Sequence, residues 1–338
     1  MHPQHHTTTT TPPPLPLLPL HHHNNNHTTT HGFSSHLLDF VTASVFIIAI
    51  VGTVGNLLAV LSLKMSKKLQ QSPSTSFMVN LPMCLLPVCL LGMPMYGIAC
   101  IHLQYSGTTL YPDALSVGAF VVGLILSQVH LHTICAIAFN RLLAVVWPQI
   151  YKRVMLTRRV RVYIGLLWFY SVLLWLPSYF GWFGHLEFDQ EELMVTLKGV
   201  RSIRATHIFF TFILPVLFTG SCYLIMYIKM RHSKRSREVK RRRKSVTEDP
   251  TLKQWDDQVT RTILIIFLIL VCCNVPHMAI HVVHIHQPQP VAWLVLHMVF
   301  WFQFCLDPVV YYLIHLHYHL TRDDMRMDEE LRLQSSIT

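Results

Sequence analysis

Charge is the scarcest commodity in this sequence. Aspartate, glutamate, lysine and arginine make up only 13% of its 338 residues, about half the ~25% of a typical soluble domain, which points to a bilayer as the main solvent. No lysine or arginine precedes Lys64. There is no HExxH and no glycine-rich phosphate loop, and no apolar run pairs a nucleophile with a base, which argues against an enzyme. There is no internal repeat, and no pair of interrupted helices in corresponding halves, of the kind transporters show. The segment from Phe183 to Thr206 holds no cysteine.

What is present in quantity is apolar side chain, 51% of the chain. It is gathered into seven runs: Leu37 to Leu63, Phe77 to Cys100, Leu115 to Val146, Val162 to Trp182, His207 to Tyr227, Thr262 to Val283 and Val291 to Leu316. Each is long enough as a helix to cross ~30 Å of hydrocarbon. The fold expected is an all-α membrane protein, a seven-transmembrane helix bundle.

The basic residues orient it. Of 27 lysines and arginines, 24 fall between Lys64 and Lys68, Arg141 and Arg161, Lys229 and Arg261, or Arg322 and Arg332. The positive-inside rule places those segments in the cytoplasm, and an odd number of spans then leaves the N-terminus outside. The expected location is the plasma membrane, multi-pass. The net charge of +10 sits beside spans, where anionic membrane lipids attract it, so nucleic acid is not the expected partner.

Four regions follow. Residues 1–36 are a low-complexity tract of His, Thr, Pro and Asn, read as a disordered extracellular tail, with a glycosylation sequon at Asn26. Its His5-His6 and His21-His22-His23 read as spacer, and no metal site and no cofactor are expected. Residues 37–316 form the bundle. Within it, residues 229–258 are a basic third cytoplasmic loop with Lys240-Arg241-Arg242-Arg243-Lys244 before Ser245, a run that a basic-directed kinase could read, making Ser245 a phosphorylation site. Residues 317–338 form an amphipathic surface helix and tail.

Each span also carries a polar or proline landmark, costly in hydrocarbon and therefore informative. They are Gly55-Asn56; Asn80-Leu81; Asn140-Arg141-Leu142 with Pro148 beyond; Trp168 and Pro177; Pro215 and Tyr223; Cys273-Asn274-Val275-Pro276; and Asp307-Pro308-Val309-Val310-Tyr311, followed by Tyr318. In order and spacing the set resembles the rhodopsin-like (class A) G-protein-coupled receptors over roughly residues 37 to 320. The resemblance implies heterotrimeric G-protein partners and an unidentified extracellular ligand. It further implies that Arg141 pairs in the resting state with Asp256, and that movement of the sixth helix frees it while Tyr223 and Tyr311 steady the open state.

Several family positions are altered. The third-helix triplet begins with Asn140 where the family has an acid. The sodium-binding acid of the second helix is Leu85, and the sixth-helix tryptophan is Asn274. The extracellular disulfide is missing, its third-helix position being Ser116, and no disulfide is expected among the eight cysteines. A seventh helix without lysine cannot hold retinal as a Schiff base. Gly123, at the family's amine counter-ion position, makes a biogenic amine an unfavourable ligand. The alternative is a receptor-like seven-helix protein that binds a ligand or partner without G-protein signalling.

Two clusters complete the reading. His277 and His281 on the sixth span, with His207 and His297 at comparable depth, are candidates with Gly123 to line an outer ligand pocket, or else to hydrogen-bond across helices. A core polar site is expected from Asn56, Leu85, His130, Asn274 and Asp307. Either His130 pairs with Asp307, making the resting state proton-sensitive, or a protonated Asp307 bonds Asn56 or Asn274.

Overall fold

The computed structural model describes residues 35–65, 72–182, 184–189, 194–198, 201–240, 250–283, 291–292 and 294–313. Seven of its helices are long and apolar enough to cross a membrane: His36–Met65, Pro73–Ser106, Asp113–Val146, Thr157–Tyr179, Ala205–Arg231, Asp257–Ala279 and Leu294–Leu313. We number them one to seven. Lipid is as apolar as a protein core, so side chains such as Ile47, Leu58, Leu166 and Phe169 remain exposed on the outside of the bundle.

Helix two extends further in both directions than its apolar run. It starts with Pro73 in the first turn, where a missing N–H costs nothing, and it closes at Gly107, whose φ of 68° supplies the left-handed cap. Between them Pro82 and Pro87 interrupt the hydrogen-bond ladder, and the helix widens into a π segment at Val88–Gly92. Helix five has a second π segment, Phe209–Ile213, just before Pro215.

Residues 229–258, expected as a basic third cytoplasmic loop, are helical at both ends beyond the spans. Helix five continues to Lys240 and helix six begins at Pro250, because lysine and arginine are good helix formers once nothing apolar is required of them. Ser245, Asn26, nearly all of the tail and the segment 317–338 lie outside the described residues.

The outer connection before helix five is not a plain loop. His185–Asp189 and Met194–Lys198 pair antiparallel, Leu186 opposite Leu197, and alternation turns Leu186 and Val195 inward onto Val117 and Val121 of helix three. At this hairpin end the core is built from Val45, Ile48, Leu126, Trp301 and Phe304. At the opposite, basic end it is built from Phe77, Ile134, Leu143, Trp255, Ile263 and Phe267.

Candidate functional site

Helix three is the spine of the molecule, and its polar side chains define what each neighbour does. Proline fixes where two of the neighbours attach. A proline leaves the carbonyl four residues earlier without its helical donor. For Pro215 that carbonyl is Thr211, and Gln128 of helix three donates to it through Nε2 at 2.8 Å. For Pro308 it is Phe304, and Asn56 of helix one donates to it at 3.3 Å, while also donating to Gly52 at 2.8 Å.

The Gln128 contact belongs to a larger network toward helices four and five. Trp175 Nε1 donates to Gln128 Oε1 at 3.3 Å. His132 lies 3.3 Å from Gln128 Nε2 and 3.4 Å from Ser171 Oγ. His207 contacts the Leu174 carbonyl at 3.1 Å, its ring edge-on to Trp175. Lower down, Trp168 Nε1 donates to Asn80, which donates to Thr133, joining helices two, three and four.

On the other face of helix three, Nε2 of His130 lies 3.0 Å from Oδ2 of Asp307 in helix seven, both side chains buried. Asn56, Leu85, His130 and Asp307 surround a small cavity of about 20 Å³, roughly the room one water needs. Asn274 stands elsewhere: its amide donates to the Leu270 carbonyl and to Gln303. Of the partners considered for Asp307, His130 is the one brought to it. The two asparagine amides are turned to backbone and to glutamine instead.

At the basic end Arg141 is 3% exposed, and Tyr223 of helix five packs against the cluster that includes the neighbouring Leu142. Tyr223 in turn stacks on Phe267 of helix six. Asn140 donates to Ser74 Oγ at 3.1 Å, so the residue standing where the family has an acid serves as a tie to helix two. At the next residue Trp255 Nε1 donates to Thr75 Oγ1 at 3.2 Å, tying helix six to the same stretch. Trp255 had no signal in the sequence beyond its apolar character, and its neighbour Asp256 has a side chain outside the described residues. Tyr311 borders the small core cavity.

Near the hairpin end a cavity of about 170 Å³ opens between helices two, three and seven. Tyr96, Phe120, Gly123, Ser127, Phe300, Trp301 and Phe304 are among its walls, with Val195 of the hairpin at its mouth. Of the histidines expected beside Gly123, His207, His277 and His297 are not among the described residues that line the cavity. His207 is engaged with helix four, and His277 stacks on Phe300 and meets His297 edge-on at 4.2 Å. The physical reason is that a buried imidazole needs a polar or aromatic partner, and each of these finds one across a helix interface. His281 has its side chain outside the described residues.

Comparison with known proteins bears on the whole bundle. A family model, the seven-transmembrane receptor of the rhodopsin family, matches residues 55–311. The melatonin receptor type 1B of Homo sapiens is 27% identical over 284 residues, covering 81% of this chain and 74% of its own length. That of Gallus gallus is 28% identical over 248 residues, 71% and 81% of the two chains. A Gq-coupled rhodopsin of Mizuhopecten yessoensis is 25% identical over 186 residues, 53% of this chain and 36% of its own. The family match takes in Asn56, His130, Arg141 and Asp307 together, and the chain belongs to the rhodopsin-like seven-transmembrane receptors, a family of multi-pass membrane proteins.

Proposed function

We propose that this protein is a plasma-membrane receptor that binds an extracellular ligand and activates heterotrimeric G-proteins. The observation that carries the proposal is the burial of Arg141 at the basic end. A guanidinium is costly to bury, and helix six covers this end through Trp255, Val259 and Ile263. Displacing helix six would open the arginine to a cytoplasmic partner, with Tyr223 and Tyr311 on the helices that flank the opening.

In this reading the basic end faces the cytoplasm and anionic lipid, and the hairpin faces outward. Asn26 carries glycan and Ser245 is phosphorylated in stimulated cells. Glycosidase treatment and phosphopeptide mass spectrometry test these last two directly. The seventh helix has no lysine, which argues against retinal despite the rhodopsin relative. Melatonin, named in several relatives, is the first ligand to assay.

The test is a panel of G-protein families expressed with the receptor, read with and without ligand at matched surface expression. Activation above vector is expected, reduced to background by Arg141→Ala. Wild type and Arg141→Ala giving the same flat response would sink the proposal and favour a receptor that binds without signalling.

The His130 and Asp307 pair is proposed to balance charge in the core at the position where the resemblance to the family implies a sodium site. The resting state is then sensitive to protons instead of sodium, and sodium titration is expected to leave basal activity unchanged.

A further inference from the structure

We propose that Trp255 is a latch: its indole holds the basic end of helix six against the first turn of helix two, and the hold must break before helix six can move. That this movement signals to a cytoplasmic partner rests on the receptor reading above; the hold itself does not.

The sequence puts a large apolar ring where little else is apolar. Trp255 stands in Lys253-Gln254-Trp255-Asp256-Asp257, two residues before the span that begins at Asp257. A tryptophan just outside a span ordinarily lies in the headgroup belt, with its ring toward lipid and its N–H in water. This one turns the other way and is 3% exposed. Its position on the helix explains the direction. Trp255, Val259, Ile263, Ile266 and Leu270 recur at helical spacing and are all buried, so the inward stripe of helix six continues past the apolar run and carries the ring into the bundle.

The ring ends on helix two. Its Nε1 donates to Thr75 Oγ1 at 3.2 Å, and both side chains are buried. Thr75 lies in the turn that Pro73 starts, beside Ser74, which accepts from the Asn140 amide of helix three. One turn of helix two therefore receives helix three at Ser74 and helix six at Thr75, at the same end where Arg141 is buried.

The chemistry of the contact suits a hold that opens and recloses. Indole N–H and threonine hydroxyl carry no charge, so salt does not screen them as it screens an exposed ion pair. When the ring leaves, each group can take up water, and breaking the contact costs the small net worth of one hydrogen bond together with the exposure of an aromatic surface. Neither partner is left as a stranded buried charge, the outcome that makes a broken ion pair so costly.

The experiment uses the full chain in lipid nanodiscs, spin-labelled at Met65→Cys on helix one and Arg261→Cys on helix six, both exposed positions, with the exposed Cys272 changed to alanine. Pulsed dipolar spectroscopy, with no ligand or G-protein present, reads the fraction of molecules with helix six displaced. Basal G-protein activation at matched surface expression is read in parallel. Thr75→Val and Trp255→Phe, which each remove one end of the hydrogen bond, are expected to raise the displaced fraction roughly 2–10-fold, and Trp255→Ala at least ~10-fold. Thr75→Ser, which keeps the acceptor, is expected to match wild type. Combining Thr75→Val with Trp255→Phe is expected to add little beyond the larger single effect, a coupling that a general loss of packing would not produce. If Trp255→Ala does not fold, the contrast between Thr75→Val and Thr75→Ser carries the test. Displacement unchanged in both single variants, strictly additive effects, or displacement produced by Asp256→Asn and not by Trp255 or Thr75 variants overturns the inference. Helix six displaced in the variants without any G-protein response would overturn the receptor reading alone, and a G-protein response with displacement unmoved by Trp255 or Thr75 variants would overturn this inference alone.

Discussion

The two long faces of helix three do opposite things with the same kind of side chain. Toward helices four and five, Gln128 and His132 meet Trp175, Ser171 and the Thr211 carbonyl in several contacts of 2.8 to 3.4 Å, so no one of them is indispensable. Toward helices two and seven the face is apolar and open at Phe120, Gly123 and Ser127, then meets helix seven deeper down through His130 with Asp307 and helix two through Thr133 and Asn140. One face is fixed by redundancy. The other combines an opening with ties spread along the helix, and the one that reaches helix seven is the His130 and Asp307 contact.

The largest effect is expected where redundancy is least. His130→Ser leaves Asp307 buried without its partner and is expected to cost about 3–5 kcal/mol, read as unfolding free energy in mixed micelles. Adding Asp307→Asn to that variant removes the stranded carboxylate and is expected to restore most of the loss. A His130→Ser protein as stable as wild type would show that the two faces are equally redundant after all.

Gln128→Leu is expected to cost less, about 1–3 kcal/mol as soluble proteins behave and nearer ~0.6 kcal/mol by the average for hydrogen bonds inside membranes. Pro215→Ala sharpens the point, because it returns a backbone N–H to Thr211. In that background Gln128→Leu is expected to lose part of its cost, a coupling of about 0.5 kcal/mol or more in a double-mutant cycle. Strict additivity would mean that Gln128 is not there to serve the carbonyl that proline exposes.

The smallest effect has the opposite sign. Gly123→Ala enters open space and removes the helix penalty of glycine, so a gain of about 0.5–1 kcal/mol is expected. A loss would mean that the cavity face is already as closely packed as its opposite.

Much of the bundle was legible in the sequence because length and apolarity suffice to mark a span, and the placement of Lys64, Arg153 and Arg231 marks its basic ends. Landmarks such as Asn56, Arg141, Pro215 and Asp307 could be placed because polar groups and prolines are rare in hydrocarbon. Facing direction was not legible. With lipid on one side and protein on the other, both apolar, periodicity says little about which way a residue such as Phe120 points; Gly123 was set at an outer pocket only by its family position, and the rest of the cavity had no signature. The histidines misled for a related reason: their spacing on one helix was visible, but the partners that hold His207 and His277 belong to other helices. The hairpin at His185–Asp189 was hidden by a segment too short and too charged to alternate clearly.

Helix one touches its neighbours through two glycines. A Cβ on Gly55 would stand 2.9 Å from the ring of Pro308, and one on Gly52 would stand 2.5 Å from Cys89 Sγ, closer than side chains can pack. Gly52 and Gly55 are thus notches into which helices two and seven fit, and Asn56 beside them waits for the Phe304 carbonyl that Pro308 exposes. Shape therefore decides how helix one is gripped: a single added methyl at either glycine would collide with a neighbour, one on helix two and one on helix seven, so both neighbours are seated on it by the absence of side chain.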